Sequence, residues 1–218
     1  MDAKENNFAY LFVAMIVLVI GMPIARDLTG IDVPVLQAVL QTFVLVIGTG
    51  SMRADPVIFR ACVALVALGV SLQLLHLMYR MPVLEIGAMS CVFVYLLVMI
   101  AIAMQQVVTV QAINRNRIVG SVCVYLLLGV LWAILYRLLF LIAPASFRGL
   151  NGSEVDLEAF TYFSFVTLTT LGYGDIVPVS GMARSLVILE TMAGQLYIAI
   201  LVAGLVGAYI AQRVEQRD

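Results

Sequence analysis

The stretch Thr169-Thr170-Leu171-Gly172-Tyr173-Gly174-Asp175 decides how the rest of the chain is read. Two glycines separated by one residue permit backbone angles closed to other residues. Such angles can turn successive carbonyls toward a common axis. A row of carbonyl oxygens can then replace the water shell of a bare cation. Residues 159–169, just before it, are apolar and aromatic but only about 11 long. A bilayer crossing takes about 20 residues, so this segment suits a re-entrant helix. Its C-terminal end would be negative and would favour a cation in the loop. Asp156 or Ser153 can cap its start. Thr170 can add a hydroxyl at the inner end of the row. Non-helical backbone at membrane depth is tolerated only where protein buries it or where it lines a watery cavity.

The surrounding composition makes a membrane the natural solvent. Of 218 residues, 63% are hydrophobic and 11% charged, and the mean hydropathy is +1.09. A soluble domain is about 45–50% apolar and about 25% charged. The formal net charge is −1, from 12 basic and 13 acidic residues. No basic footprint for nucleic acid exists. Cys62, Cys91 and Cys123 each lie inside an apolar run without metal-ligand spacing and read as small buried hydrophobes.

Six apolar runs are long enough to cross: 8–25, 33–52, 56–79, 82–110, 118–143 and 182–211. Pro56 and Pro82 suit the first turns of their helices, and Pro144 cannot continue the fifth. The polar stretch 111–117 is the best internal boundary, dividing a four-helix part, 1–112, from 113–218. The expected fold is an all-α membrane protein of six transmembrane helices, with the re-entrant helix and loop between the fifth and sixth. With the N-terminus inside, Lys4, Arg53, Arg60, Arg115, Arg117, Arg213 and Arg217 are inside. Arg26, Arg80, Arg137, Arg148 and Arg184 are outside. This mild bias favours cytoplasmic termini. A cell membrane is expected, and the small chain suits a bacterial inner membrane.

Thr169-Thr170-Leu171-Gly172-Tyr173-Gly174-Asp175 resembles the signature of potassium channels, in which four Thr-Val-Gly-Tyr-Gly loops form the selectivity filter. Leu171 stands where Val is commonest. That position gives a carbonyl to the pore and points its side chain away, so coordination survives the swap. The resemblance runs through 118–211, nearly half the chain. It implies an outer helix at 118–143, a pore helix at 157–169, a filter at 170–174 and an inner helix at 182–211. It implies potassium coordination by Thr170, Leu171, Gly172 and Tyr173, with Gly174 completing the filter. Potassium is the permeant ion, and no cofactor is expected. One loop supplies a quarter of a filter, so a homotetramer among membrane lipids is implied.

The resemblance assigns further roles. Asp175 would brace the filter from behind, and Thr169 would support the loop. Tyr162 and Phe163 sit where the family places an aromatic cuff. Val166 occupies a position where some bacterial channels carry a Glu, which leaves Asp175 without that carboxylate partner. Gly194 lies 20 residues beyond Gly174 and matches the family's hinge glycine. In the same register Thr191, Gln195, Ile198, Val202 and Val206 would line a cavity.

Two charges lie deep in apolar runs. Glu190 is roughly 12 Å along its helix from Met182 at 1.5 Å per residue. Such a charge takes a partner or a watery cavity. Arg137, near the outer end of the fifth run, is the candidate partner, giving an expected Arg137–Glu190 bridge. His76, the single histidine, reads as a packed or interfacial residue. The Ser, His and Asp residues show no nucleophile arrangement, so an enzyme is not expected. A potassium-selective channel is the leading reading. A less selective cation channel and a cation-uptake transporter subunit are the alternatives.

Residues 81–110 contain no Arg or Lys, and Glu85 is their one charge. Steep voltage dependence needs several gating charges per subunit. A nonconducting variant should therefore give no large transient gating current, and recording one would sink this expectation.

Overall fold

The structure is a computed structural model that describes residues 7–21, 23–24, 28, 56–108, 115–150 and 156–215. It is helical almost throughout. Helix α1 spans Asn7–Ile16 and runs into a π-helical turn, Val17–Gly21. Helices α2, Pro56–Tyr79, and α3, Pro82–Val108, form an antiparallel hairpin. Helix α4 is Arg115–Ile142, α5 is Leu157–Leu168 and α6 is Gly181–Glu215. A two-stranded antiparallel ribbon joins β1, Phe147–Arg148, to β2, Val177–Pro178, and pairs Phe147 with Pro178. The sequence reading did not anticipate this ribbon. Two-residue strands carry no periodicity.

Among the described residues, four helical segments are long and apolar enough to cross a membrane: Pro56–Tyr79, Pro82–Gln105, Ile118–Ile142 and Gly181–Leu201. Ala9–Gly21 is apolar but shorter. The expected second span, 33–52, and the boundary near 112 lie outside the described residues.

Local chemistry sets the helix ends. Arg80 closes α2 in a left-handed conformation, φ 52°, and its N–H donates to the His76 carbonyl at 2.7 Å. This is the αL form of a helix C-cap. Pro82 opens α3 two residues later. Gly69 and Gly87 let α2 and α3 approach. A Cβ at Gly69 would lie 3.3 Å from Cys91 Cβ, and one at Gly87 would lie 3.2 Å from Leu72 Cδ1. In lipid, helices associate through such close packing rather than through exclusion of water.

Helix α4 is the hub. Helices α1, α3, α5 and α6 all pack on it. Its Cys123, Val124, Leu127, Ile134 and Tyr136 are buried. Toward its C-terminal end Tyr136 joins Phe147, Phe160 and Phe163 in an aromatic cluster, with ring centroids 5.1–5.7 Å apart and edge-on. That geometry suits the ring quadrupoles. Helix α2, at the edge, turns Val63, Leu68, Leu74 and Met78 outward, as a lipid-facing helix would.

The Arg137–Glu190 bridge is not formed. Arg137 Nε lies 3.1 Å and Nη2 2.5 Å from Glu85 Oε1, at the start of α3. Glu190 bonds Tyr136 and Ser164 instead. Successive residues of a helix point about 100° apart, so Tyr136 and Arg137 cannot both face α6. Tyr136 faces inward and Arg137 faces α3. The guanidinium also sits 5.9 Å from the Phe140 ring centroid. His76 Nε2 lies 3.9 Å from Glu85 Oε2, so the α2–α3 turn and the C-terminal part of α4 meet on one carboxylate.

Thermal unfolding should show Arg137→Gln and Glu85→Gln to be coupled by about 0.5–3 kcal/mol. Arg137→Gln and Glu190→Gln should add to within about 0.5 kcal/mol. Additivity of the first pair would remove this bridge from the account.

Candidate functional site

Helix α5 aims its C-terminus into the loop that follows it. Asp156 caps its start, its side chain accepting from the Ala159 N–H at 3.1 Å. The close crossing on α4 is made possible by Gly129, where a Cβ would lie 2.6 Å from the Phe165 ring. At the far end Thr169 caps the helix, its N–H donating to the Phe165 carbonyl at 3.1 Å.

Beyond that cap the backbone alternates. Thr170, Gly172 and Gly174 have φ of 60°, 59° and 81°, while Leu171 and Tyr173 between them do not share the positive region. Alternation of hand turns successive peptide planes the same way, so their carbonyls share a side. The hydrogen bonds say which side. The N–H groups of Thr170, Leu171 and Gly172 turn back to carbonyls of α5: Thr167 at 2.9 Å, Val166 at 2.9 Å and Val166 at 3.3 Å. Among the described residues, no carbonyl of 170–174 accepts a hydrogen bond. A Cβ at Gly172 or Gly174 would meet nothing within 4 Å, so these glycines answer to backbone conformation rather than to room. Thr170 pays about 1–2 kcal/mol for its left-handed angle, a cost that the helix end must hold in place.

The loop is propped from behind. Asp175 Oδ1 accepts from the Ile176 N–H at 2.9 Å. The Tyr162 hydroxyl donates to Asp175 and holds that carboxyl below the usual carboxylate range, aided by the Ile176 N–H and opposed by burial. Gly149, at φ +92°, lies so close to the Asp175 carbonyl that a Cβ would come within 1.7 Å. Phe163 is buried in the aromatic cluster, 5.1 Å from Tyr136. Val166 is buried, and its carbonyl anchors the loop amides, a role its side chain does not announce. Tyr162, Val166, Thr169, Leu171 and Asp175 line a cavity of about 690 Å³ that reaches Leu18 and Val19 of the π turn.

Residues 120–211, from α4 to α6, match a family model described as an ion channel. The match indicates an ion channel. No curated protein and no solved structure matches the chain.

Within this channel segment the structure places the other candidates on α6. Gly194 lies in unbroken helix, where a Cβ would come 2.8 Å from both Leu168 O and Leu168 Cδ1. Its visible task is close contact with the end of α5. Thr191 is half-buried, its hydroxyl donating to the Val187 carbonyl at 2.9 Å. Gln195 and Ile198 are exposed on the single chain. The side chains of Val202 and Val206 lie outside the described residues. Leu171 and Tyr173 are 56% and 68% exposed, and Ile188, Leu189, Met192 and Leu196 of α6 are also uncovered.

Sequence reasoning missed the residues that join the helices. Tyr125 Oη donates to the Leu168 carbonyl at 3.2 Å, and Tyr197 Oη donates to the Ser121 carbonyl at 2.7 Å. Glu190 is fully buried between Tyr136 and Ser164, both also fully buried. A polar Ser inside the apolar helix α5 was the available signal. It pointed to no partner until the helices were placed.

The Asp175 carboxylate gains its bonds on folding. The stability they lend is present at neutral pH and is lost only as pH falls through its lowered midpoint. An NMR titration of the solubilised protein should show Asp175 titrating below the ordinary range. In Tyr162→Phe the midpoint should rise toward the ordinary value. An unchanged midpoint would mean that Tyr162 is not the partner.

Proposed function

We propose that this chain is a potassium-selective channel subunit, passive and without an arginine-bearing voltage sensor. The observation that carries the reading is the loop 170–174, with its alternating φ, its amides returned to α5 and its carbonyls unclaimed by protein donors. Thr170, Leu171, Gly172 and Tyr173 would present carbonyl oxygens, and the Thr170 hydroxyl would add a further one. Potassium would exchange its hydration shell for rings of these oxygens and move in file, each ion displacing the next. The α5 dipole, with its negative end at the loop, favours the cation.

Four copies are needed to complete such a ring. A single row of unpaired carbonyls in hydrocarbon would cost several kcal/mol for each group. The uncovered Leu171, Tyr173 and apolar face of α6 support the same assembly. Thr191, Gln195, Ile198, Val202 and Val206 would then face a central cavity. The assembly would sit in a cell membrane, surrounded by lipid, with both termini cytoplasmic. The aliphatic exchange at Leu171 alters packing behind the loop and leaves its carbonyl in place.

Purified protein in planar bilayers, with mixed potassium and sodium, supplies the test. The reversal potential should track potassium, and Gly172→Ala should abolish the potassium current while the chain still inserts. A reversal potential indifferent to the two ions would make this a less selective cation channel. Absence of any current across voltage and pH would overturn the reading.

A further inference from the structure

The Glu190 carboxyl takes no part in the ion path, yet three helices converge on it. Tyr136 Oη of α4 bonds its Oε2 at 2.5 Å. Ser164 Oγ of α5 lies 2.5 Å from its Oε1 and also 2.7 Å from the Gly129 carbonyl of α4. Glu190, Ser164 and Tyr136 are all fully buried. Tyr125, also on α4, gives its hydroxyl to the Leu168 carbonyl instead. No cationic side chain bonds Glu190 among the described residues, and Arg137 is turned to Glu85.

Counting protons identifies the group. A backbone carbonyl only accepts, and each hydroxyl carries one hydrogen. With an ionised carboxylate, two hydrogens would have to serve three contacts. Ser164 would then face either Gly129 or Glu190 oxygen to oxygen, with nothing between. One more proton closes the count. Tyr136 donates to Oε2, the carboxyl O–H on Oε1 donates to Ser164, and Ser164 donates to the Gly129 carbonyl. Each contact then has one donor and one acceptor. The alternative, an unpaired ion in a dry site, is costly.

We propose that Glu190 is held as a neutral carboxylic acid whose proton closes the hydrogen-bond chain from Tyr136 through Ser164 to the Gly129 carbonyl, making it the positioning residue that seats the pore helix between the outer and inner helices. The joint lies on the same helix whose last carbonyls hold the loop. A neutral joint fixes that helix without adding a fixed anion beside the ion path. This inference does not rest on which ion is carried.

Infrared spectra of the full chain in lipid bilayers at neutral pH give the direct test. Wild type should show a buried carboxylic-acid C=O band that shifts in deuterated water and is missing from Glu190→Gln. Loss of only carboxylate bands in that variant would overturn the proposal. Rescue gives a second readout. A Gln amide can donate to Ser164 and accept from Tyr136, so Glu190→Gln should unfold within a few degrees of wild type. Glu190→Ala and Ser164→Ala should unfold well below it. If Glu190→Gln is as damaged as Glu190→Ala, the carboxyl is an ion and the proposal fails.

Discussion

A backbone carbonyl without a donor is expensive in hydrocarbon, and the loop 170–174 presents five in succession. The rest of the visible structure serves that arrangement. The amides of Thr170, Leu171 and Gly172 are consumed by the end of α5, which leaves their carbonyls facing the other way. Once the amides are committed, the open row must be satisfied by something other than this chain. On the proposed reading, a cation would supply the missing charge and copies of the same row would supply the remaining coordination.

Holding the row requires that α5 not move. The helix is seated on α4 through Gly129 and Phe165, capped by Asp156 and locked by the edge-on cluster of Tyr136, Phe147, Phe160 and Phe163. Gly194 brings α6 against Leu168 at the same end. The ribbon of β1 and β2 ties together the two connections that flank α5 and its loop, and Gly149 lets one of them close on Asp175. Each contact is weak alone. Together they restrain a short helix whose terminal carbonyls set the loop's hand.

Helices α1 and α3 are joined to this unit, not merely beside it. Both share the α4 core, and Glu85 gathers Arg137 and His76 at the α2–α3 turn. A charge that once looked like a partner for Glu190 is used to hold α3 to α4. The scarcity of charge in this chain therefore has a positive side: Glu85, Arg137 and Glu190, deep in apolar helices, each have a named neighbour. The two acidic groups are met differently, Glu85 by a cation and Glu190 by hydroxyls.

The sequence by itself determined a membrane protein of apolar helices, a short apolar helix before the loop and the glycine positions of that loop. These follow from local rules, since hydropathy, proline placement and glycine spacing act on neighbouring residues. Only the tertiary structure decided which partners the buried polar groups take. Arg137 and Tyr136 are adjacent in the chain, and nothing local says which of them faces α6; a rotation of about 100° settles it. The same holds for Ser164 and Gly149, whose tasks depend on atoms between 26 and 35 residues away. Long-range packing, not local preference, chose those contacts.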